Sequence, residues 1–500
     1  MSAPVILTAE QMRAVEAAAM QGGLASAALM ENAGAAVANA VKTGWTTRPV
    51  AIVCGPGNNG GDGYVAARLL AEAKWPVRLL LLGDPSALKG DAKLMADLFE
   101  GDVEPFAPEA LNGAALIVDA IFGTGLSRDV EGAPRAAIEA INASPAPVVA
   151  VDMPSGVNAD TGAIMGVAVE AARTVTFFAK KPAHALFPGR ALCGTVSLAD
   201  IGIKPDALSA ITVDLFENGP SLWGGAFGRP TWRAHKYHRG HVFSVSGGSA
   251  NTGAARLAAA GAARIGAGLV TVLSPPDAAS VNAAHLTSTM LRVFETPDDI
   301  ADALSAKPDY QRVCVIGPAA GVSAATRKNV AAALRASSAV VLDADGVTSF
   351  TDAPKSLFDQ LRGSDVLTPH EGEYTRLFGA IGADGRLKAV RDAAKRAGCI
   401  VILKGPDSII AGPDGRAAIN VNAPADLATA GSGDVLAGFV AGLLAQGMPA
   451  FEAASAGVWF HGAAGQAAGP GLIADDLPRA VPSILRALLT PQQKNRTGKQ

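Results

Sequence analysis

A glycine-rich turn followed by an acid is the part of the sequence best suited to chemistry. Gly431, Ser432 and Gly433 carry no bulky side chain, so their backbone N–H groups can turn toward an anion where a helix begins. The carboxylate of Asp434 can accept the proton of a hydroxyl while that hydroxyl attacks a phosphorus atom. The pattern predicts phosphoryl transfer with Asp434 as catalytic base. The alternative is an ordinary helix N-terminus that Asp434 caps.

The first half contains another glycine-rich loop after an apolar run. Gly55, Gly57 and Gly60 fit the Gly-x-Gly-x-x-Gly spacing of a dehydrogenase, with Asp84 as its supporting acid. Against this alternative, residues 58–62 include two asparagines and an aspartate, whereas a pyrophosphate mainly needs bare backbone.

Acids also follow two predicted parallel strands of the first half, at Asp119 and Asp152. Together with Asp62 they would converge on one crevice at the carboxyl ends of the strands. Like charges held that close need a cation, a shared proton or a ligand with donors, so we expect a metal ion there. The alternative is that Asp119 and Asp152 only cap turns.

Four segments of the first half together resemble the NAD(P)H-hydrate epimerases, and they are Asn58-Asn-Gly-Gly-Asp-Gly63, Asp119-Ala-Ile-Phe-Gly-Thr-Gly125, Asp152-Met-Pro-Ser-Gly156 and Lys181-Pro-Ala-His-Ala-Leu-Phe-Pro-Gly189. The resemblance implies that hydrated NADH or NADPH is bound by Asn58, Asn59, Gly60, Gly61, Asp62, Gly123, Thr124, Gly125, Leu126, Ser127, Arg128, Asp129 and Asp152. It also implies a potassium ion held by Asn59, Asp119 and Ser155. We take Asp152 as catalytic, although neither argument decides which residue moves the proton. Ala183 replaces the usual glycine of the last motif.

The second half resembles the ribokinase-like superfamily and, within it, the ADP-dependent NAD(P)H-hydrate dehydratases. The specific motifs are Thr368-Pro-His-Glu-Gly-Glu373 and Gly431-Ser-Gly-Asp434. The resemblance implies that the hydrate contacts Ala254, Gly321, His370 and Asp434. It implies that the adenine nucleotide contacts Lys404, Gly405, Pro406, Asp407, Ser408, Gly431, Ser432 and Gly433.

Some of these residues have plainer interpretations. His370 could be a histidine at the end of a strand whose hydrogen bonds are satisfied within the protein. Lys404 could be a solvated lysine at the end of a strand. Asp343 and Asp345 either bind magnesium through water or close a turn. The chain also reads Gly317-Pro-Ala-Ala-Gly321 where the family commonly has Gly-Pro-Gly-x-Gly, so a methyl group at Ala319 would crowd this loop.

Short apolar runs alternate with helical stretches in both halves, which predicts an α/β fold with parallel strands crossed by helices. Glycine and proline are dense between Glu217 and Pro230. We expect an N-terminal Rossmann-like three-layer α/β/α domain and a C-terminal ribokinase-like α/β/α domain. Their predicted bounds are 1–217 and 231–494, with a linker at 218–230 and a tail at 495–500.

Composition narrows the class of protein. The chain has 500 residues, 49% of them apolar and 17% charged, with a net charge of −3, so we expect no nucleic acid and no membrane partner. Four scattered cysteines favour buried, reduced thiols, and no segment resembles a signal peptide. These features favour a cytoplasmic protein with small-molecule substrates, and we expect a homo-oligomer.

Together the motifs predict a bifunctional enzyme that repairs hydrated NADH and NADPH. One domain would epimerise the R and S hydrates with K⁺ bound, and the other would dehydrate the S hydrate with ADP and Mg²⁺. One rival is a vitamin or sugar kinase with an N-terminal ligand-binding regulatory domain. Another is a noncatalytic sensor of damaged cofactor. The sequence contains no Gly-x-x-x-x-Gly-Lys-Ser/Thr motif, which argues against a P-loop NTPase.

Overall fold

The computed structural model describes residues 4–228, 232–233, 235–305 and 310–489. The chain forms two compact units, each with its own sheet. The N-terminal domain is Val5–Leu215, and the C-terminal domain comprises Pro4 and the described residues from Phe216 onward.

The N-terminal domain is built on a seven-stranded sheet with the order β3-β2-β1-β4-β5-β6-β7, and every neighbouring pair is parallel. The strands are β1 (Val50–Cys54), β2 (Val77–Leu81), β3 (Val103–Pro105), β4 (Leu116–Ala120), β5 (Val148–Val151), β6 (Arg173–Phe177) and β7 (Thr195–Ala199). The helices are α1 (Ala9–Gln21), α2 (Ser26–Gly44), α3 (Asn58–Glu72), α4 (Gly90–Asp97), α5 (Gly132–Ala143) and α6 (Gly189–Leu192).

Both faces of this sheet are covered. Ile52 of β1 points into a core shared with α1 to α4, and its neighbour Val53 points into a core shared with α5. Because successive side chains of a strand point to opposite faces, a strand buried on both sides is a continuous apolar run. The expected three-layer α/β/α arrangement is confirmed in this domain.

The C-terminal domain contains a ten-stranded sheet with the order β11-β10-β9-β12-β13-β14-β15-β16-β17-β8. Pairs from β11 to β15 are parallel, whereas β15, β16 and β17 pair antiparallel. The strands are β8 (Leu215–Glu217), β9 (His241–Val245), β10 (Leu269–Ser274), β11 (Met290–Val293), β12 (Arg312–Ile316), β13 (Ala339–Leu342), β14 (Val366–Leu367), β15 (Ile400–Leu403), β16 (Ile409–Ala411) and β17 (Ala417–Ile419).

Helices lie on both faces of this second sheet as well. They are α7 (Pro220–Trp223), α8 (Gly253–Ile265), α9 (Pro276–His285), α10 (Pro297–Ser305), α11 (Ala324–Ala336), α12 (Asp345–Thr348), α13 (Pro354–Phe358), α14 (Glu371–Phe378), α15 (Gly385–Ala397), α16 (Ser432–Ala445), α17 (Ala450–Ala468) and α18 (Asp476–Leu489). Helices α8, α16, α17 and α18 share one large core with the sheet. The predicted α/β class is confirmed here too.

Helix α16 is the most deeply buried helix of the C-terminal domain's main core. Every residue from Val435 to Ala445 is buried, so the helix is apolar on all sides. It packs closely on α8, since a Cβ added to Gly438 would lie 2.1 Å from the carbonyl oxygen of Ala258. The start of α16, which carries Asp434, is therefore fixed in place.

The segment that we expected to be a linker is folded instead, in the part of it that the structure describes. Asn218 donates from Nδ2 to Asn420 Oδ1 (3.0 Å) and to the Ser455 carbonyl (2.8 Å). Trp223 is 2% exposed and packs against Phe227, Trp459 and Phe460. The glycines and prolines of this segment form tight turns around a buried tryptophan. Residues 229–230 of the expected linker and all of the expected tail lie outside the described residues.

A smaller expectation is confirmed. All four cysteines are buried free thiols. Thr8 and Gln11 form a capping box at the start of α1. In the part of the chain that is described, no helix combines the length and hydropathy that crossing a bilayer requires.

We expect Trp223→Ala to destabilise the C-terminal domain by about 3–5 kcal/mol, because it leaves a cavity among three aromatic rings. Urea unfolding followed by circular dichroism would measure the change. Trp232→Ala is the matched control, since this ring is 87% exposed. A loss below about 1 kcal/mol for Trp223→Ala would contradict the packing described for this segment.

Candidate active sites

The glycine-rich turn of the C-terminal domain depends on a backbone conformation that favours glycine. Gly431 has φ +86°, and a Cβ there would lie 2.7 Å from Leu257 Cδ1 and 3.0 Å from Ala474 Cβ. Asp434 is the third residue of α16, and within the described part of the chain no side chain caps this helix. The carboxylate is therefore left available beside the first N–H groups of the helix, unlike in the alternative of a simple cap.

A lysine and three carboxyl groups surround the start of α16. Lys404 Nζ lies 2.8 Å from Asp343 Oδ1 and 3.9 Å from Glu373 Oε2. Burial alone would lower the pKa of Lys404, but the charges of Asp343 and Glu373 raise it, so the ammonium is retained. A Cβ on Gly433 would lie 3.4 Å from this ammonium, which places the lysine beside the turn.

Asp434 differs from its acidic neighbours because no lysine or arginine of the described residues forms an ion pair with it. Burial, followed by the charge of Asp343, raises its pKa to about 6, and Lys404 only partly opposes this shift. A carboxyl group with a pKa near 6 is ionised at neutral pH and still basic enough to take a proton.

His370 caps α14 and also borders the site. Its Nδ1 accepts from the N–H of Gly372 (3.0 Å), and Glu373 in turn accepts the N–H of His370. The side chain is 54% exposed, and residues 370 and 404 pair as a parallel bridge. The plainer interpretation is thus correct for Nδ1, and the other ring nitrogen, Nε2, lies 3.4 Å from Glu373 Oε1.

A cavity of about 430 Å³ opens on one side of the turn. Of the predicted nucleotide-binding residues, those that line it are Lys404, Gly405, Pro406, Ser408, Ser432 and Gly433. Asp407 does not line it, because its fully buried carboxylate binds Arg386 (2.7 Å) behind the loop. The cavity also contains His461, which sequence reasoning missed, and whose Nε2–H donates to the Ser432 carbonyl (2.9 Å). Burial lowers the pKa of His461 to about 4, so it is neutral.

Two residues that were predicted to touch the hydrate, Gly321 and Ala254, lie outside this cavity. Gly321 donates its N–H to Asp345 Oδ2 (2.8 Å), so Asp345 closes a turn. Ala254 lies in the first turn of α8, three residues before Leu257, which contacts Gly431. Neither residue lines the cavity that contains Lys404.

The N-terminal site is centred on a buried ion pair. Asp152, at the end of β5, accepts from Lys181 Nζ (2.6 Å) and Thr176 Oγ1 (2.9 Å) on the same carboxylate oxygen, Oδ1. Burial acts to raise the pKa of Asp152, but the Lys181 ammonium and these hydrogen bonds outweigh it and the pKa is lowered. The other oxygen, Oδ2, would lie 3.6 Å from a Cβ on Gly123, so it faces the predicted substrate loop.

Asp119 and Ser155 bind each other directly. The Ser155 hydroxyl (2.6 Å) and backbone N–H (2.8 Å) both donate to the Asp119 carboxylate. Burial raises the pKa of Asp119 to about 6. Asn59, at the start of α3, lies near Gly123, and its buried Nδ2 has no hydrogen-bond partner among the described residues. Asp119 thus fixes a turn, as the alternative interpretation proposes, and also remains a buried carboxylate.

The remaining predicted residues of this site lie on two segments. Residues 58–62 form the first turn of α3, and residues 124–129 form a loop after β4 that is largely exposed. Asp62 is partly buried, and its pKa is raised well above the usual value by burial and by the charge of Asp152. Asp84, the acid required by the dehydrogenase alternative, only caps a short 3₁₀ turn through Ser86.

Two residues of the N-terminal site were not predicted. Lys181 lies within a recognised motif but received no role. Glu16 of α1 has its pKa raised by burial, and it interacts electrostatically with both Lys181 and Asp152. Glu16 lies four residues after the buried Met12, on the apolar face of α1. An acidic residue on the apolar face of a helix was the sequence signal that could have identified it.

Comparisons with known proteins agree with this geometry in both domains. The profile described as YjeF-related protein N-terminus matches residues 26–183, and the profile described as NAD(P)H-hydrate dehydratase matches residues 242–481. A bifunctional NAD(P)H-hydrate repair enzyme Nnr of Salinibacter ruber is 35% identical, covering 96% of each chain. The chain belongs to this family.

Other members and one solved structure are also similar to the chain. The enzyme of the same name from Moorella thermoacetica is 37% identical, covering 93% of each chain. An ADP/ATP-dependent NAD(P)H-hydrate dehydratase structure from Bacillus subtilis covers 52% of this chain and 94% of its own, with 24% identity and a TM-score of 0.45. Because the relatives match across both domains, they favour the bifunctional repair enzyme over the rival of a kinase with a regulatory domain.

The alanine at position 319, the departure noted in the sequence, adopts a strained backbone. Ala319 has φ +55°, which costs an L-residue about 1–2 kcal/mol. We expect Ala319→Gly to raise the free energy of unfolding by up to about 1 kcal/mol, after the larger unfolded-state entropy of glycine is subtracted. Ala320→Gly is the matched control, because Ala320 has no positive φ, and it should lower stability. Equal losses in both variants would contradict the strain.

Proposed function

We propose that the chain repairs hydrated NADH and NADPH in two steps, one on each domain. The N-terminal domain interconverts the R and S hydrates, and the C-terminal domain dehydrates the S hydrate with ADP. In the second step the hydrate's hydroxyl oxygen attacks the β-phosphorus of ADP, and AMP leaves. The phosphate ester then loses phosphate and a ring proton, which yields NADH or NADPH.

The observation that carries the dehydration is the unpaired carboxylate of Asp434 at the start of α16. It is basic enough to take the hydroxyl proton, since its pKa is raised to about 6 by burial and by Asp343. With ADP bound, the N–H groups at the turn and the Lys404 ammonium beside Gly433 would stabilise the charge that develops on the transferred phosphoryl group. Phosphorylation is useful because phosphate leaves far more readily than hydroxide.

The same site suits a magnesium ion that arrives with the nucleotide. The described residues offer no cluster of three His, Cys, Asp or Glu side chains that would hold a metal by themselves. Mg²⁺ commonly binds through one or two carboxylates together with phosphates and water, and Asp343 lies beside the turn for that purpose. Bound Mg²⁺ would neutralise phosphate charge, while Asp434 and Lys404 position the reacting groups.

In the N-terminal domain we propose that Asp152 is the base of the epimerisation and that Asp62 holds a proton. The pKa of Asp152 is lowered by Lys181 against the effect of burial, whereas the pKa of Asp62 is raised by burial and by Asp152. Two carboxyl groups whose pKa values are pushed apart suit an acid and base pair. The exposed loop 124–129 and residues 58–61 would then hold the hydrate around them.

We also propose that potassium binds near Asp119. This carboxylate is fully buried, and only Ser155 and the backbone N–H of Ile121 donate hydrogen bonds to it among the described residues. Oxygen atoms of Asn59, Asp119 and Ser155 suit a hard cation, and the ion would supply positive charge that steadies this turn. The expected homo-oligomer and cytoplasmic location stay predictions.

Asp434→Asn should lower dehydration of the S hydrate by ADP at least about 100-fold, because it removes the base and keeps the shape. Recovery of the reduced ring's absorbance measures the rate. Asp152→Asn is the matched control, and it should leave dehydration of pure S hydrate unchanged while stopping conversion of R hydrate. If Asp434→Asn retained full dehydration, the proposed mechanism would be wrong.

The pH profile gives an independent check on Asp434. Because its pKa is raised to about 6, the base is protonated below that pH and ionised above it. We expect kcat/KM for dehydration to rise about tenfold per pH unit below pH 6 and to level off above it. Asp343→Asn removes a charge that raises this pKa, so residual activity should reach its plateau at lower pH. A flat profile between pH 5 and 7 would contradict the assignment.

A further inference from the structure

A second, larger cavity lies next to residues that pack on Gly431 of the phosphate-binding turn. It is a groove of about 900 Å³ between α8, the segment 285–289 and the start of α18. This volume is about twice that of the cavity beside Lys404, and it lies within the range that suits a large ligand. None of the residues assigned above to the nucleotide lines it.

The groove is strongly basic. Arg256, Arg264 and Arg479 line it together with the single acid Asp475. Arg256 and Arg264 form no ion pair with any described residue, and the nearest carboxylate to Arg479 is Asp476 at 3.7 Å. The Nε of Arg256 is buried without a hydrogen-bond partner among the described residues. Unpaired guanidinium groups in a concave surface are suited to phosphate.

The groove begins where the reacting groups are. Leu257 lines it, and Leu257 Cδ1 would lie 2.7 Å from a Cβ on Gly431. Asp475 also lines it, and the preceding residue, Ala474, packs on Gly431 as well. The same hypothetical Cβ would lie 3.9 Å from Asp434 Oδ2. Leu257 and Ala474 therefore lie between the turn that carries Asp434 and the groove, and a ligand with its hydroxyl at Asp434 would extend past them to reach the arginines.

The spacing of the arginines along α8 fits an extended molecule with more than one phosphate position. Arg256 is three residues beyond Gly253 at the start of α8, and Arg264 is eight residues further on. At a rise of 1.5 Å per residue the two arginines are about 12 Å apart along the helix axis. A dinucleotide carries its pyrophosphate near the nicotinamide and, in NADPH, a further phosphate on the distant adenosine.

We propose that this basic groove binds the phosphate groups of the hydrated dinucleotide during dehydration. The proposal rests on the proposed function of the C-terminal domain. The hydrate's ring lies at Asp434, its pyrophosphate binds at Arg256, and the adenosine end extends along α8 toward Arg264. ADP occupies the smaller cavity beside Lys404. The turn from Gly431 to Gly433 thus separates the donor from the acceptor's phosphates.

The test is steady-state dehydration of S hydrates of NADH and NADPH at saturating ADP, with the full chain. Arg256→Gln should raise KM for both hydrates on the order of tenfold or more, with little change in kcat or in KM for ADP, because a charged hydrogen bond to phosphate is lost. Arg264→Gln should raise KM more for the NADPH hydrate than for the NADH hydrate. Arg256→Lys should restore part of the loss.

Arg335→Gln is the matched control, because Arg335 is an exposed arginine of α11 outside the groove and its loss should leave KM unchanged. Thermal unfolding of each variant checks folding. Binding of intact NADPH, measured by calorimetry, separates the two proposals because it needs no turnover. If the wild type is active and Arg256→Gln changes neither the KM for the hydrates nor the affinity for NADPH, the proposal for the groove is wrong and the proposed reaction stands. A wild type that binds NADPH through Arg256 but never dehydrates hydrate would instead overturn the proposed reaction.

Discussion

The C-terminal site depends on the burial of one helix. Helix α16 is apolar on every side from Val435 to Ala445, and the close packing of Gly438 on α8 leaves it no room to shift. The only polar end of this helix is its beginning, where Gly431 turns the chain and Asp434 emerges. The surrounding core thus holds a carboxylate and a row of N–H groups rigidly at the edge of the sheet, where strand ends supply Asp343 and Lys404.

The two domains arrange charge in the same way although their sheets differ. In each, a lysine binds one carboxylate at the end of a strand, Lys181 with Asp152 and Lys404 with Asp343. A second carboxyl group nearby has no such partner, and its pKa is raised by burial and by the first. A raised pKa favours the protonated form of this second acid, which suits a group that takes up or holds a proton.

The sequence was a good guide to strands buried on both faces, because such strands are unbroken apolar runs. Strands of three residues, such as β3, β16 and β17, are too short to be recognised in this way, and β3 is also largely exposed. The structure brings several of the motif residues close to Lys404 and the turn before Asp434, and others close to Asp152. Glu16 and Arg386 could not be assigned, because their importance comes from charges that only the fold brings near. Asp407 was predicted at the nucleotide but is buried against Arg386.

The buried Trp223 has a practical consequence for separating the halves of this chain. The glycine-rich run that looks like a natural place to cut contains a core residue of the second domain, together with the hydrogen bonds of Asn218. A recombinant fragment that begins at residue 231 would lack Trp223 and would expose the two rings that Trp223 covers, Trp459 and Phe460. A recombinant C-terminal domain should therefore begin before Phe216. A gene split that leaves a stable dehydratase would have to occur at the same place.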